Sequence, residues 1–333
     1  MAITAERRAQ LAKRLYVALV LPQTADFKID EAGIRRHVRY FLNHRYAQSG
    51  GFIVNPEAGE IYYMTREEKR RVLDIVLEEA GGKVPIFAGS FGITTAETLE
   101  VARDAKAAGV DGLFVIPPAG CMDVSLTWDP IKYPEVWLNQ IKAQAEAVDL
   151  PMITHPVVSP SPKTGIGLPI ETALKFCAEV PQILGWKMTY HYNANRMLCR
   201  ALRQYAPQVA ILQASAWLFQ EFLVNENLDG TVSGSWNFAM EPMLEHIEAW
   251  RRGDLARARE IWNGGLCELQ EYIYAEPTRL HTRYKAATWL RGLIGSPVPR
   301  EPMPAARPEE TEAIRRLLVK AKLPVIEVKG ASA

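Results

Sequence analysis

Eight short apolar runs, rich in β-branched residues, alternate along this chain with longer amphipathic stretches, a pattern that belongs to a parallel sheet with helices on its outside. The runs occupy residues 15–20, 51–55, 84–88, 112–116, 151–154, 183–188, 209–213 and 230–235. Start and stop signals mark the helices between them. Asp30 precedes a one-sided apolar stripe of Ile34, Val38, Phe41 and Leu42, Thr65 with Glu68 and Thr94 with Glu97 read as capping boxes, and Gly109 stands where the helix from Thr95 must stop. An open doubly wound sheet usually has five or six strands and a glycine-rich turn after the first. Here that turn is Leu21-Pro22-Gln23-Thr24, without glycine, so the pattern predicts an α/β fold of the closed (β/α)8 barrel type.

A length of 333 residues would divide into two domains at ~150 residues each, but such barrels reach ~250 residues as one domain. The expected division is a barrel over residues 1–239, a C-terminal helical extension packed on it over 240–327, and a frayed tail at 328–333. Within the extension, helices are expected at 243–251, 254–274, 279–293 and 308–321. Lys plus Arg number 39 against 38 for Asp plus Glu, so the net charge of +1 disfavours nucleic-acid and anionic-membrane partners. Cys121, Cys177, Cys199 and Cys267 are scattered without a C-x-x-C pair, which predicts neither a zinc site nor a disulfide framework and fits a reducing compartment. No apolar signal region opens the chain, so a cytoplasmic protein is expected.

Active sites of such barrels lie at the C-terminal ends of the strands, which narrows the search. Lys187 stands inside the apolar run Ile183-Leu184-Gly185-Trp186-Lys187-Met188. It either snorkels to solvent, pairs with a buried carboxylate, or is desolvated into a nucleophilic amine. The segment from Gly51 to Glu60 reads as strand, tight loop and capped helix, able to offer backbone N–H groups to an anion or simply needing Gly59 for its turn, with Glu60 tying the loop down. His155 ends the fifth run as a proton shuttle or a structural histidine. The loop from Ser159 to Gly165 carries hydroxyls and one cation, Lys163, suited to an anionic group or merely solvated.

Taken in order, these pieces resemble the dihydrodipicolinate synthase and N-acetylneuraminate lyase superfamily, class I aldolase-like barrels that form a Schiff base with pyruvate or another 2-oxo acid. Ala58-Gly59-Glu60 with Thr65-Arg66-Glu67-Glu68 is similar to the family's substrate loop and following helix. Residues 84–89 and 108–118 resemble its third and fourth strands, Gly185-Trp186-Lys187 its lysine-bearing sixth, and residues 230–237 its eighth. The resemblance implies that Lys187 adds to the C2 carbonyl of a 2-oxo acid and that no metal or organic cofactor is needed. It also implies a homo-oligomer, tetramer or dimer.

The chain departs from that family at several points. His155 stands where the family has a proton-shuttling tyrosine, and Glu57 and Ala58 replace two loop threonines. Pro118-Ala119 replaces an aromatic pair, and the carboxylate-binding arginine region maps loosely onto Lys163. These departures argue against dihydrodipicolinate synthase activity itself. The expected function is an aldolase or hydratase-aldolase acting on a 2-oxo acid, with Lys187 as nucleophile and His155 as proton carrier. Glu57, Ala58 and Gly59 are expected to contact the substrate, Gly59 and Glu60 to shape the substrate loop, and Lys163 and the Ser233 to Ser235 segment, through Ser233 and Ser235, to meet the carboxylate; Glu57 is alternatively a substrate-directed acid/base group. Tyr190, His191 and Tyr192 are further proton-transfer candidates, while Phe91, Trp186, Trp236 and Phe238 point to a bulky acceptor or to core packing. The alternatives are a dehydratase of a 2-keto-deoxy sugar acid and a degenerate, non-catalytic ligand-binding barrel.

Overall fold

The computed structural model describes residues 4–118, 128–158 and 160–327. The chain begins α1 (Ala5–Ala12), β1 (Leu15–Ala18), α2 (Glu31–Leu42), the single turn α3 (Tyr46–Ser49), β2 (Gly50–Val54), α4 (Arg66–Ala80), β3 (Ile86–Ser90) and α5 (Thr95–Ala108). It continues through β4 (Gly112–Val115), α6 (Glu135–Val148), β5 (Met152–Thr154), α7 (Ile170–Glu179), β6 (Ile183–Met188), α8 (Tyr192–Tyr205), β7 (Ala210–Gln213), α9 (Phe219–Val224) and β8 (Gly230–Ser233). Then come α10 (Trp236–Arg251), α11 (Leu255–Ile261), α12 (Cys267–Tyr274), α13 (Leu280–Leu290) and α14 (Pro308–Lys320). All eight strands are parallel and close in sequence order, β8 returning to β1 through Leu15 opposite Thr231 and Val17 opposite Ser233. The fold is the expected (β/α)8 barrel with helices after it.

Large rings fill the barrel because glycines face them. A Cβ at Gly51 would lie 2.5 Å from the Tyr16 ring and one at Gly112 would lie 2.3 Å from the Phe87 ring. Tyr16 and Phe87 meet edge to face at 5.3 Å, and the Tyr16 hydroxyl donates to the Leu11 carbonyl at 2.7 Å. Helix α1 thus covers the N-terminal end of the barrel, where Arg8 donates to the carbonyls of Pro181, Ile183 and Gln208. Both capping boxes form, Asp30 accepts from Gly33 N–H, and Gly109 adopts a left-handed φ of 85° at the end of α5. At the seam, Asn237 accepts from Val20 N–H and donates to the Ala18 carbonyl, joining the chain after β8 to the end of β1.

The helices of the extension differ from expectation in two places. Helix α10 starts at Trp236, so it runs across residue 239, and it kinks at Ala239. Pro242 has no N–H for the Phe238 carbonyl four residues earlier, and Arg291 donates to that carbonyl instead. The single helix expected at 254–274 is broken by a wide turn at Trp262–Leu266 in which Gly265 takes φ of 119°. A Cβ there would stand 2.8 Å from the backbone of Lys320 and Ala321, so the glycine is what lets α14 approach. The tail expected to fray, 328–333, lies outside the described residues, as do Ala119, Cys121 and Ser159. Among the described residues, no helix is long and apolar enough to cross a membrane.

Candidate active site

Lys187 is the penultimate residue of β6 and is 9% exposed. Two residues earlier, Gly185 leaves room for Leu212 of β7, since a Cβ there would meet Leu212 Cδ1 at 2.5 Å. The lysine stem therefore rises from a packed layer toward the C-terminal mouth. Its Nζ lies 3.5 Å from His155 Nδ1 and 5.3 Å from the centre of the Phe114 ring. His155 is the first residue past β5, held by its N–H donating to the Val115 carbonyl, with its ring tilted against Phe114 at 5.2 Å.

Glu57 comes from the one-turn helix Glu57–Gly59 that follows β2. Its Oε2 lies 2.7 Å from His155 Nδ1, and its Oε1 accepts the Tyr62 hydroxyl at 2.6 Å. The loop sits low over the barrel because Gly59 permits it: a Cβ would stand 2.7 Å from the Leu19 carbonyl. Glu60, in the left-handed region at φ 62°, fixes the loop from behind. It forms a buried ion pair with Lys285 of α13 at 2.6 Å and accepts the Arg300 N–H at 2.7 Å. Arg300 in turn grips Glu68 with two bonds of 2.7 Å. The C-terminal extension is thereby tied directly to the loop that carries Glu57.

Burial lowers the Lys187 ammonium to about 8, against a partial restoring pull from Glu57. At pH 7 about one amine in ten is then neutral, against about one in three thousand at the ordinary value of 10.5. Burial likewise lowers His155 to about 4, with Glu57 pulling upward, so the imidazole is neutral near pH 7. For Glu57, burial alone would raise the carboxyl, but His155 and Lys187 outweigh it and hold the group below the usual carboxylate range. Burial and the Glu57 charge push the Tyr62 phenol well up, so it stays a donor. An ionised Glu57 at 2.7 Å places the His155 proton on Nδ1 and leaves Nε2 as an acceptor. Lys187, His155, Glu57 and Tyr62 form one continuous chain of polar contacts, an arrangement able to relay protons.

The other sequence candidates divide. Ala58 is buried beside Glu57 and contributes only a methyl group. Lys163 is exposed on the turn from Ser161 to Gly165, which a bridge to Tyr190 pins beyond β6. Ser233 faces the Tyr274 hydroxyl at 3.0 Å, and the Ser235 hydroxyl donates to Gln270 at 2.7 Å, so both side chains are engaged with α12. Tyr190 is turned away from the lysine: its ring packs where a Gly167 Cβ would be, and its hydroxyl accepts from Trp186 Nε1 at 3.3 Å. His191 caps α8 and donates to the Lys163 carbonyl, and Tyr192 bonds Asn225. Trp186, Trp236 and Phe238 are core, whereas Phe91 meets Tyr62 edge to face at 4.7 Å. Tyr62, Phe114, Lys285 and His281 are additions the sequence reading did not make. Tyr62 stands five residues from Glu57 in the same loop, the one signal that could have marked it. Among the described residues, no group of three or more His, Cys, Asp or Glu is placed to hold a metal ion.

Known proteins place this arrangement in context. The model of the dihydrodipicolinate synthetase family matches residues 11–321. The 4-hydroxy-tetrahydrodipicolinate synthase of Methanopyrus kandleri is 32% identical over 304 residues, covering 91% of this chain and 94% of that protein. A protein of Thermofilum pendens described as an uncharacterized DapA-like lyase is 29% identical, covering 90% and 93%. Among solved structures, dihydrodipicolinate synthase from Aquifex aeolicus superposes with a TM-score of 0.79 at 22% identity, covering 95% of this chain and all of that one. YagE from E. coli K12, solved in complex with pyruvate, gives 0.76 at 21%, covering 94% and 100%. At such identities the structures speak for the fold alone.

Proposed function

We propose that this chain, which belongs to the dihydrodipicolinate synthetase family, is a lysine Schiff-base lyase acting on pyruvate or another 2-oxo acid, as an aldolase or hydratase-aldolase. The observation that carries this reading is the Lys187 amine, desolvated at the end of β6 and 3.5 Å from an imidazole that is itself bonded to a carboxylate. The neutral amine adds to the C2 carbonyl. His155, whose Nδ1 proton stays bonded to Glu57, takes on its free Nε2 the proton the nitrogen sheds and returns it to the C2 oxygen; a second proton, drawn from solvent through the same imidazole, lets that oxygen leave as water, and Glu57 stabilises the imidazolium in between. The iminium then withdraws electrons from C3. Tyr62 holds Glu57 in line through its 2.6 Å bond. No step requires a metal or organic cofactor.

The reaction differs, in this reading, from that of the 4-hydroxy-tetrahydrodipicolinate synthases. Glu57 puts a negative charge where the family resemblance expects a neutral hydroxyl, and Ala58 removes the second hydroxyl. An acceptor bearing its own carboxylate near the lysine is disfavoured by that charge. The same reading takes the enzyme to be a homo-oligomer, tetramer or dimer, which a light-scattering mass measures. Exchange of solvent deuterium into the methyl group of pyruvate, followed by proton NMR, tests the chemistry. Wild type exchanges, Lys187→Ala does not, and His155→Phe is slowed by about 10²-fold or more. Absence of exchange into pyruvate and 2-oxobutanoate with wild type contradicts the reading.

A further inference from the structure

Helix α13 lies against the barrel mouth through one face. Tyr284 packs where a Cβ of Gly234, just past β8, would be, and Lys285 reaches Glu60 in the loop past β2. His281 precedes these by three and four residues, so it shares their face, one turn nearer the helix start. Its ring is tilted 6.0 Å from that of Tyr284. The half-buried imidazole lies within electrostatic range of Glu57, Glu60 and Lys187. No described residue offers it a hydrogen bond. Burial lowers its basicity from the ordinary imidazole value, so it is neutral and able to accept a proton near pH 7.

The proposed chemistry needs two separate proton exchanges. One serves the C2 oxygen and the lysine nitrogen, and His155 is committed to it because its Nδ1 faces both Lys187 and Glu57. The other serves the oxygen on C4, two carbons further along the substrate. Resting on the Schiff-base reading above, we propose that His281, brought into the site by the C-terminal extension, is the acid and base for the C4 oxygen of a 4-hydroxy-2-oxo acid. In cleavage, His281 accepts the C4 hydroxyl proton, the O–H electron pair forms the new carbonyl, and the C3–C4 bond breaks. Its electron pair moves into the C2–C3 bond and neutralises the iminium nitrogen. The enamine then takes a proton at C3, and water releases pyruvate and the Lys187 amine. In synthesis, His281 donates the same proton to the aldehyde oxygen.

The experiment pairs two readouts on wild type and His281→Asn. Borohydride trapping with pyruvate reads imine formation. Cleavage of 4-hydroxy-2-oxobutanoate, 4-hydroxy-2-oxopentanoate and 4-hydroxy-2-oxo-4-phenylbutanoate, read as pyruvate released, reports the C4 step. The expected result is trapping within about twofold of wild type and cleavage lowered by about 10²-fold or more. Three results overturn the proposal: cleavage undiminished in His281→Asn, trapping and cleavage falling in proportion, or a wild type that traps pyruvate yet cleaves none of the three. A wild type that forms no imine brings down the Schiff-base reading and this inference with it, and the trapping arm alone identifies that case.

Discussion

Replacing Glu57 by Gln removes one charge from the relay while keeping its shape, and the structure sets the size of the effect on Lys187. Lys187 Nζ and Glu57 Oε2 lie 3.5 and 2.7 Å from the same nitrogen of His155, so they are no farther apart than those two lengths together. Two unit charges about 6 Å apart, at an effective dielectric constant near 20, attract by about 3 kcal/mol, equivalent to about two pH units. That attraction stabilises the ammonium, so Glu57→Gln lowers the Lys187 midpoint from about 8 by between one and two pH units. The amine becomes more available at pH 7 even as turnover falls, by about 10²- to 10³-fold, because the His155 imidazolium has lost the charge that stabilises it. The rate of acylation at Lys187 by a small reagent, followed by peptide mass across acid to alkaline pH, reads the midpoint directly. A midpoint that stays in place or moves to higher pH refutes the claim that an ionised Glu57 faces the lysine.

Three other substitutions probe the supports of the site. Lys285→Met leaves Glu60 buried without its partner and should cost about 3–5 kcal/mol in urea unfolding, most of it recovered when Glu60→Gln is added. Gly185→Ala places a methyl group 2.5 Å from Leu212 Cδ1, and should lower stability by about 1–3 kcal/mol while slowing imine formation through displacement of Lys187. Unchanged trapping kinetics in that variant would show that the layer beneath the lysine does not position it. Tyr62→Phe removes a donor to an ionised carboxylate, and steady-state kinetics should show kcat lowered about tenfold or more with KM little changed.

The strand pattern and the caps were legible in the sequence because they rest on local rules. Periodicity placed all eight strands within two residues of their observed ends, and Thr65, Thr94, Asp30 and Gly109 act as their types predict. Lys187 drew notice for a related reason, as a charge inside an apolar run, but the pattern left its role open and only the family resemblance suggested a nucleophile. The breaks in the extension were harder to see, since the kink at Ala239 and the turn at Gly265 depend on Arg291 and on the approach of α14. The carboxylate partner of His155 lies 98 residues away in sequence, and only barrel closure brings Glu57 beside it. His281 and Lys285 were invisible because their role comes from where α13 docks. Ser233 and Ser235 mark the opposite case, residues at the right end of the right strand whose hydroxyls turn outward to α12.

The central claim is that Lys187 forms a covalent imine with a 2-oxo acid. Borohydride reduction in the presence of pyruvate, followed by intact mass and peptide mapping, tests it most directly. One reduced pyruvate per chain is expected, located on the peptide containing Lys187 and absent from Lys187→Ala. An adduct that persists in Lys187→Ala, or a wild-type chain that gains no mass with pyruvate or 2-oxobutanoate, contradicts it.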